Sequence, residues 1–335
     1  MDNFTHALTG IAMSQAGLNR FARSSYPTWL LFWGSNAPDI DVFWALSGGP
    51  QYLDVHRGFS HSLGGAPVVA LPVVGLVWAL HRWRKRDTPF PWLAAWLLAI
   101  AGALQHVLLD FLTPYGTRLF SPFNEIRYAY GILPVVDLWL GAGLLAATIL
   151  PFLFRLISEE IGAGKASFRP AATFMLMLFI AWGGLRALAY MRAHALLDAH
   201  LFKGMTPRRF SAYPDMGSPF IWHAVIDLGS SLEVKEMNLL RDFDPTRTRS
   251  YFAPEPHPAL DAARKTRTMR SFLAFAVYPY GYVETKEAGY EVVYRDLRYE
   301  VGTFLTRGAV ARVELDSQFN VLQESFHFRD SKPVR

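Results

Sequence analysis

Long apolar stretches dominate the first 196 residues, and they restrict what this chain can fold into more than any other feature. A helix needs roughly 20 apolar residues to cross the hydrocarbon core of a bilayer. Four stretches meet that length: 64–82, 91–112, 132–154 and 170–190. Two weaker ones precede them. The stretch 4–18 is short. The stretch 27–46 is interrupted by Pro38, Asp39 and Asp41, which marks it for irregular backbone where it meets other helices. The pattern predicts a mainly α fold over residues 1–196, a polytopic membrane helical bundle of about five to six helices. Residues 197–335 differ in character. Apolar and polar residues alternate in 219–228, 289–301 and 309–315, as in strands with one buried face, and 259–275 reads as a single helix. This part is expected to form a C-terminal extramembrane α+β domain.

Composition supports that division and narrows the chemistry. Charged residues make up 18% of the chain and hydrophobic ones 51%, against roughly 25% charge in a typical soluble domain. The 10 Trp and 25 Phe suit membrane interfaces. There is no Cys, so a tight metal site must use His, Asp and Glu, ligands suited to Zn, Mn or Fe. The opening residues MDNFTHALTG lack the basic n-region of a cleavable signal. Basic residues gather in three places: Arg20 and Arg23; Arg82, Arg84, Lys85 and Arg86; Arg155, Lys165 and Arg169. If all six stretches cross, these loops share one side, which the positive-inside rule makes cytoplasmic. The N-terminus and the region after 197 then face outward, in a multi-pass membrane protein. Topology accounts for the basic residues and no nucleic-acid-binding motif accompanies them, so lipids and not nucleic acid are the expected partners.

The ionisable residues of the apolar half fall into short clusters. They are His6 in DNFTH, Asp39 and Asp41 in PDID, His56, Arg57 and His61 in HRGFSHS, and His106 and Asp110 in HVLLDF. On the expected topology all occupy one outer layer. Such residues are costly near hydrocarbon and persist when they pair or work. His106 and Asp110 are four apart and share a helix face. His6, Asp39, Asp41, His56, His61, His106 and Asp110 are therefore candidate metal ligands for one or two divalent ions. Asp41 or Asp110 is alternatively the general base, and Arg57 is placed to stabilise developing negative charge. Blander readings stand beside these. Asp2 suits a helix N-cap, Asp137 suits pairing with an arginine, and a lone intramembrane His often makes only an interhelical hydrogen bond.

At these motifs the sequence resembles the YdjM/YbcI-type inner-membrane proteins. The matching pieces are DNFTHALTG at 2–10, PDID at 38–41, HRGFSHS at 56–62 and HVLLDFLTPYG at 106–116. The likeness covers about the first 140 residues. YRDLRYE at 294–300 and FLAFAVYPY at 272–280 resemble the extra domain of longer members. This resemblance implies hydrolysis dependent on a divalent metal. The His106–Asp110 pair is also similar to the His-x-x-x-Asp pairs of zinc phospholipases C and related all-α nucleases, which implies a phosphorylated, lipid-like substrate. The expected function is a membrane-bound metal-dependent hydrolase, with zinc, manganese or iron activating water against a phosphoester or ester at the outer face. One alternative is a transporter of a metal or small anion, although the inner halves of the stretches offer no polar path. Another is a non-catalytic regulator stabilised by a closed metal site.

Overall fold

The computed structural model describes residues 1–20, 26–84, 89–160, 169–300 and 308–328. Arg23, Lys85, Arg86 and Lys165 lie outside the described residues. The chain forms two compact units, one of Met1–Asp41 and Arg57–Arg186, the other of Val42–His56 and Ala187–Arg335. In chain order the helices are α1 (Asn3–Ala16), α2 (Pro27–Gly34), α3 (Gly49–Val55), α4 (Gly65–Trp83), α5 (Trp92–Phe111), α6 (Leu138–Glu160), α7 (Arg169–Asp198), α8 (Pro258–Arg264) and α9 (Arg267–Phe275). The division falls inside α7.

The first unit is mostly helical, as expected. Three described helices, α4, α5 and α7, are long and apolar enough to cross a membrane. Their outward side chains include Leu71, Leu76 and Trp78 on α4, Leu93 and Leu108 on α5, and Phe174 and Ile180 on α7, all exposed. So much apolar surface is what a lipid-facing bundle presents and what a water-soluble monomer avoids. In α6 the apolar stretch Leu138–Phe154 is shorter. This helix starts only after Asp137, whose Oδ1 accepts from Leu140 N at 3.1 Å. α1 has 14 residues, about 21 Å of helix against a hydrocarbon core of about 30 Å.

The stretch 27–46 is not one crossing helix but is broken where Pro38 and the aspartates marked it for irregular backbone. α2 stops at Gly34 and a 3-10 run, Ala37–Ser47, follows. Pro38 lacks an N–H and its ring opposes a continued α-helix, while Asn36 Nδ2 donates to Phe32 O at 2.7 Å and closes the helix end.

α2, α4 and α5 share a core of Leu30, Leu31, Val73, Val74, Val77 and Leu98, with Ala70, Ala95 and Ala99 between them. The middle of α4 meets the first half of α5, so the two run antiparallel. Small residues let backbones touch. A Cβ on Gly102 would lie 2.8 Å from Ser35 N and 2.9 Å from Leu31 O, and one on Gly34 would lie 2.5 Å from Ala99 O. This close approach carries the end of α2 onto α5 where the polar residues gather.

The second unit holds two four-stranded antiparallel sheets, each in simple sequence order. The first comprises β1 (Arg209–Pro214), β2 (Ile221–Asp227), β3 (Ser231–Asn238) and β4 (Arg249–Phe252). The second comprises β5 (Pro279–Lys286), β6 (Gly289–Asp296), β7 (Val310–Asp316) and β8 (Val321–His327). β2 is buried on both faces, where one was expected. Trp222, Ala224 and Ile226 pack with Ala189, Ala193 and Leu197 of α7. Val225 points the other way, towards Tyr278 and Leu297. The stretch 259–275 is two helices instead of one. Thr266 ends the first region and caps the next, accepting from Met269 N at 3.3 Å. Residues 42–56 join this unit through α3: Arg267 Nη2 donates to Gln51 Oε1 at 2.9 Å, and Tyr52 meets Phe328 edge-on at 5.7 Å.

Gly102→Ala is expected to lower stability by about 1–3 kcal/mol through overpacking against Ser35, read as a lower thermal midpoint in detergent. Gly75→Ala, in α4 with nothing within 4 Å of the added carbon, should be neutral or stabilising by up to about 1 kcal/mol. Equal behaviour of the two variants would contradict the close contact.

Candidate metal centre

The donors come from both ends of sequence-distant elements that meet at one end of the α4–α5 pair. His61 ends a 3-10 turn, Phe59–His61, just before α4 begins. His106 and Asp110 occupy the last turns of α5. Asp39 and Asp41 come from the 3-10 run after α2. The C-terminal end of α4 and the N-terminal end of α5 lie at the other end of the pair.

Four donor atoms face one another: Asp39 Oδ1, His61 Nε2, His106 Nε2 and Asp110 Oδ2. His61 Nε2 is 3.1 Å from His106 Nε2, 3.2 Å from Asp39 Oδ1 and 3.4 Å from Asp110 Oδ2. His106 Nε2 is 3.5 Å from Asp39 Oδ1 and 3.4 Å from Asp110 Oδ2. A tetrahedral ion with bonds of about 2.0–2.1 Å holds its donors about 3.3 Å apart. These separations match that spacing on five edges.

The proton positions strengthen the fit. His106 Nδ1 lies 2.7 Å from the Ser35 carbonyl, which can only accept. In the neutral ring Nδ1 therefore carries the proton and Nε2 presents a lone pair to the cluster. His61 Nδ1 lies 3.1 Å from Asp41 Oδ2, and Ser60 Oγ donates to the same oxygen at 2.7 Å. His61 Nε2 is then the inward lone pair. Two lone pairs at 3.1 Å repel unless positive charge stands between them. Asp110 Oδ2 is also buried with no hydrogen-bond donor among the described residues. A buried set of this kind fits a divalent cation, and a carbonyl or carboxylate on the outer imidazole nitrogen is the usual support of a metal-ligating His.

The other oxygen of Asp110 serves a second set of contacts. Oδ1 takes Arg57 Nη2 at 2.8 Å and lies 3.4 Å from His6 Nε2. The backbone nitrogen of Met1 also lies against it. His6 stacks on His106 with ring centroids 3.7 Å apart, and neither of its ring nitrogens has a hydrogen-bond partner among the described residues. Arg57 has a left-handed backbone, φ 56°, a conformation that non-glycine residues keep when the surroundings enforce it. Its N–H donates to Asp41 Oδ2 at 3.1 Å and its carbonyl accepts from Arg118 N at 3.0 Å. Its guanidinium donates to Thr113 Oγ1 at 3.0 Å and covers the Tyr115 ring at 4.4 Å.

The structure thus gathers His6, Asp39, Asp41, Arg57, His61, His106 and Asp110. His56 is grouped with the second unit, where it caps α3 and stacks on Tyr52 at 4.4 Å. Asp2 is the N-cap of α1, accepting from Thr5 N at 2.9 Å. Asp137 pairs with Arg186 at 2.9 Å, both side chains being fully buried, and accepts from the partly buried Trp182 Nε1 at 3.0 Å. The sequence reading missed Ser35, which contributes only a carbonyl, and Ser60, which sits inside HRGFSHS. Of these only Ser60 had a motif to betray it.

Residues 1–205 match the family model for the YdjM inner membrane protein. The chain belongs to the YdjM inner membrane protein family. Residues 258–333 match the YfhP C-terminal alpha/beta plait domain. The uncharacterized protein YfhP of Bacillus subtilis (strain 168) is 24% identical over 314 residues, 89% of this chain and 87% of the relative. No solved structure matches the chain. The YdjM region contains every residue of the cluster, and the α5 end that supplies His106 and Asp110 lies well inside it.

The Asp137–Arg186 pair shares no residue with the cluster. Asp137→Ala is expected to cost about 3–5 kcal/mol, because it strips a buried guanidinium of its carboxylate. Thermal unfolding in detergent checks this, and an unchanged midpoint would show that the pair contributes nothing to the bundle.

Proposed function

We propose that this YdjM-family protein is a membrane-bound metal-dependent hydrolase that cleaves a phosphoester or ester in a lipid-like substrate. The observation that carries the reading is the buried tetrad of Asp39, His61, His106 and Asp110, with lone pairs turned inward at tetrahedral spacing. Zinc suits an N2O2 donor set of this size, with manganese and iron as alternatives. A bound divalent ion supplies the charge that acidifies water and polarises the ester or phosphoryl oxygen.

The chain's own groups have distinct tasks in this scheme. His61 and His106 would hold the ion through Nε2, and Asp39 and Asp110 through carboxylate oxygens. Asp41 orients His61 from outside instead of ligating. Arg57 places positive charge beside Asp110, where negative charge develops on a substrate oxygen. His6, with both ring nitrogens unpartnered, accepts or returns a proton next to the reacting centre. Asp39 is the entrance side: its side chain is 12% exposed, while those of His61, His106 and Asp110 are at most 1%. The basic residues around 82–86 support a cytoplasmic connection between α4 and α5 and, with it, an outer-face location for the cluster.

One observation favours a second reading. Four protein donors already complete a tetrahedron, and catalysis needs an open position. In this reading the ion is a structural clamp in a non-catalytic membrane protein.

One experiment tests both. The full chain is purified in detergent, its metal content measured, and hydrolysis of bis-p-nitrophenyl phosphate and p-nitrophenyl acetate followed. About one divalent ion per chain and measurable turnover are expected, both lost in His106→Ala. Asp41→Asn should bind the ion about 10–100-fold more weakly. Metal-free wild-type protein after zinc loading, or turnover unchanged in His106→Ala, would contradict the hydrolase. Bound metal without turnover on either substrate favours the clamp.

A further inference from the structure

The second unit holds a cavity of about 330 Å³ at the seam of its two sheets, within the size range of small-molecule sites. Arg209 of β1, Asp227 of β2 and Tyr251 of β4 line one side, and Arg264 of α8, Tyr280 of β5 and Tyr294 of β6 the other. The proposed hydrolase leaves this cavity unused.

Its polar groups are unevenly matched. Asp227 is the one acidic residue in the lining, and both its oxygens are engaged. Oδ1 accepts from Gly229 N at 2.8 Å and Oδ2 from Arg209 Nε at 3.1 Å. Gly229 has φ 87°, which turns its amide back onto Asp227. The donors are not used up in the same way. Arg209 spends Nη2 on Val277 O at 3.1 Å, and Nη1 has no acceptor among the described residues. Arg264 donates Nε to Tyr294 Oη at 3.0 Å and its Nη1 forms an ion pair with Asp261 at 3.6 Å, while Nη2 has no acceptor among the described residues. Tyr294 accepts there, so its own proton is available. Tyr280 Oη makes no described hydrogen bond. The wall thus offers guanidinium and phenol protons with its carboxylate already neutralised.

Backbone detail holds these donors in place. A Cβ on Gly281 would lie 2.5 Å from the Tyr294 ring, so the absence of a side chain opposite Tyr294 in the β5–β6 register is what lets that ring lie flat across the strand. Tyr251 and Tyr280 meet ring to ring at 5.0 Å, giving an aromatic surface beside the charged end. A ligand matching this wall needs an anionic, acceptor-rich head and a ring or apolar body.

We propose that this cavity binds an organic anion of metabolite size, with a phosphate or carboxylate held by Arg209 and Arg264 and its body against the tyrosines. The anion is either free in solution or the headgroup of a lipid. The probe is phenyl phosphate, titrated calorimetrically into the full chain in detergent. Saturable binding is expected, weakened about tenfold in Arg264→Gln by loss of a charge-assisted contact. Ala253→Trp, which fills the cavity from its lining, should abolish binding while circular dichroism and the thermal midpoint report an intact fold. The loss in Arg264→Gln should persist in metal-stripped protein, since the cavity lining shares no residue with the metal cluster. Competition by vesicles containing phosphatidic acid supports the lipid-borne anion, and competition by inorganic phosphate alone supports the free one. No saturable binding, or binding unchanged in both cavity variants, overturns the proposal.

Discussion

The hydrogen bond from His106 Nδ1 to the Ser35 carbonyl, 2.7 Å long, ties the membrane unit's packing to its chemistry. A polar group inside an apolar bundle must find a partner or exact a large cost. Here the partner is a backbone carbonyl freed where α2 ends, and it reaches His106 only because Gly34 and Gly102 let α2 and α5 touch. The same bond settles which ring nitrogen faces inward. Once Nε2 is the lone pair, Asp39, His61 and Asp110 gather around it as an electron-rich set, with Arg57 and His6 on the far oxygen of Asp110.

Much of this was legible in sequence because intramembrane charge is so restricted. Seven of the polar residues picked out by motif do converge: His6, Asp39, Asp41, Arg57, His61, His106 and Asp110. Four-residue spacing on a helix was enough to pair His106 with Asp110 on one face. What motifs could not convey was division of labour. Asp39 and Asp41 are two apart in an irregular run, and only the coordinates show one facing His106 and the other behind His61. Ser35 had no side-chain signature at all, since its contribution is a main-chain oxygen.

The fold was legible to a similar depth. Hydropathy located α4, α5 and α7, whose length and apolarity are local properties. The break at Pro38 within 27–46 was legible too, whereas in 259–275 the cap at Thr266 divides an otherwise continuous helical pattern. β2 looked one-sided by alternation, but a strand packed between α7 and a second sheet is buried on both faces. Tertiary layering of that kind leaves little trace in a single strand. The YfhP relative is matched across both parts of the chain.

The most direct test of the proposed ligand set is the X-ray absorption spectrum of the ion bound to the purified full chain. The geometry predicts a first shell of about four nitrogen and oxygen donors near 2.0–2.1 Å, with the outer-shell scattering of two imidazoles. A six-coordinate shell of oxygen alone, with no imidazole scattering, would contradict it.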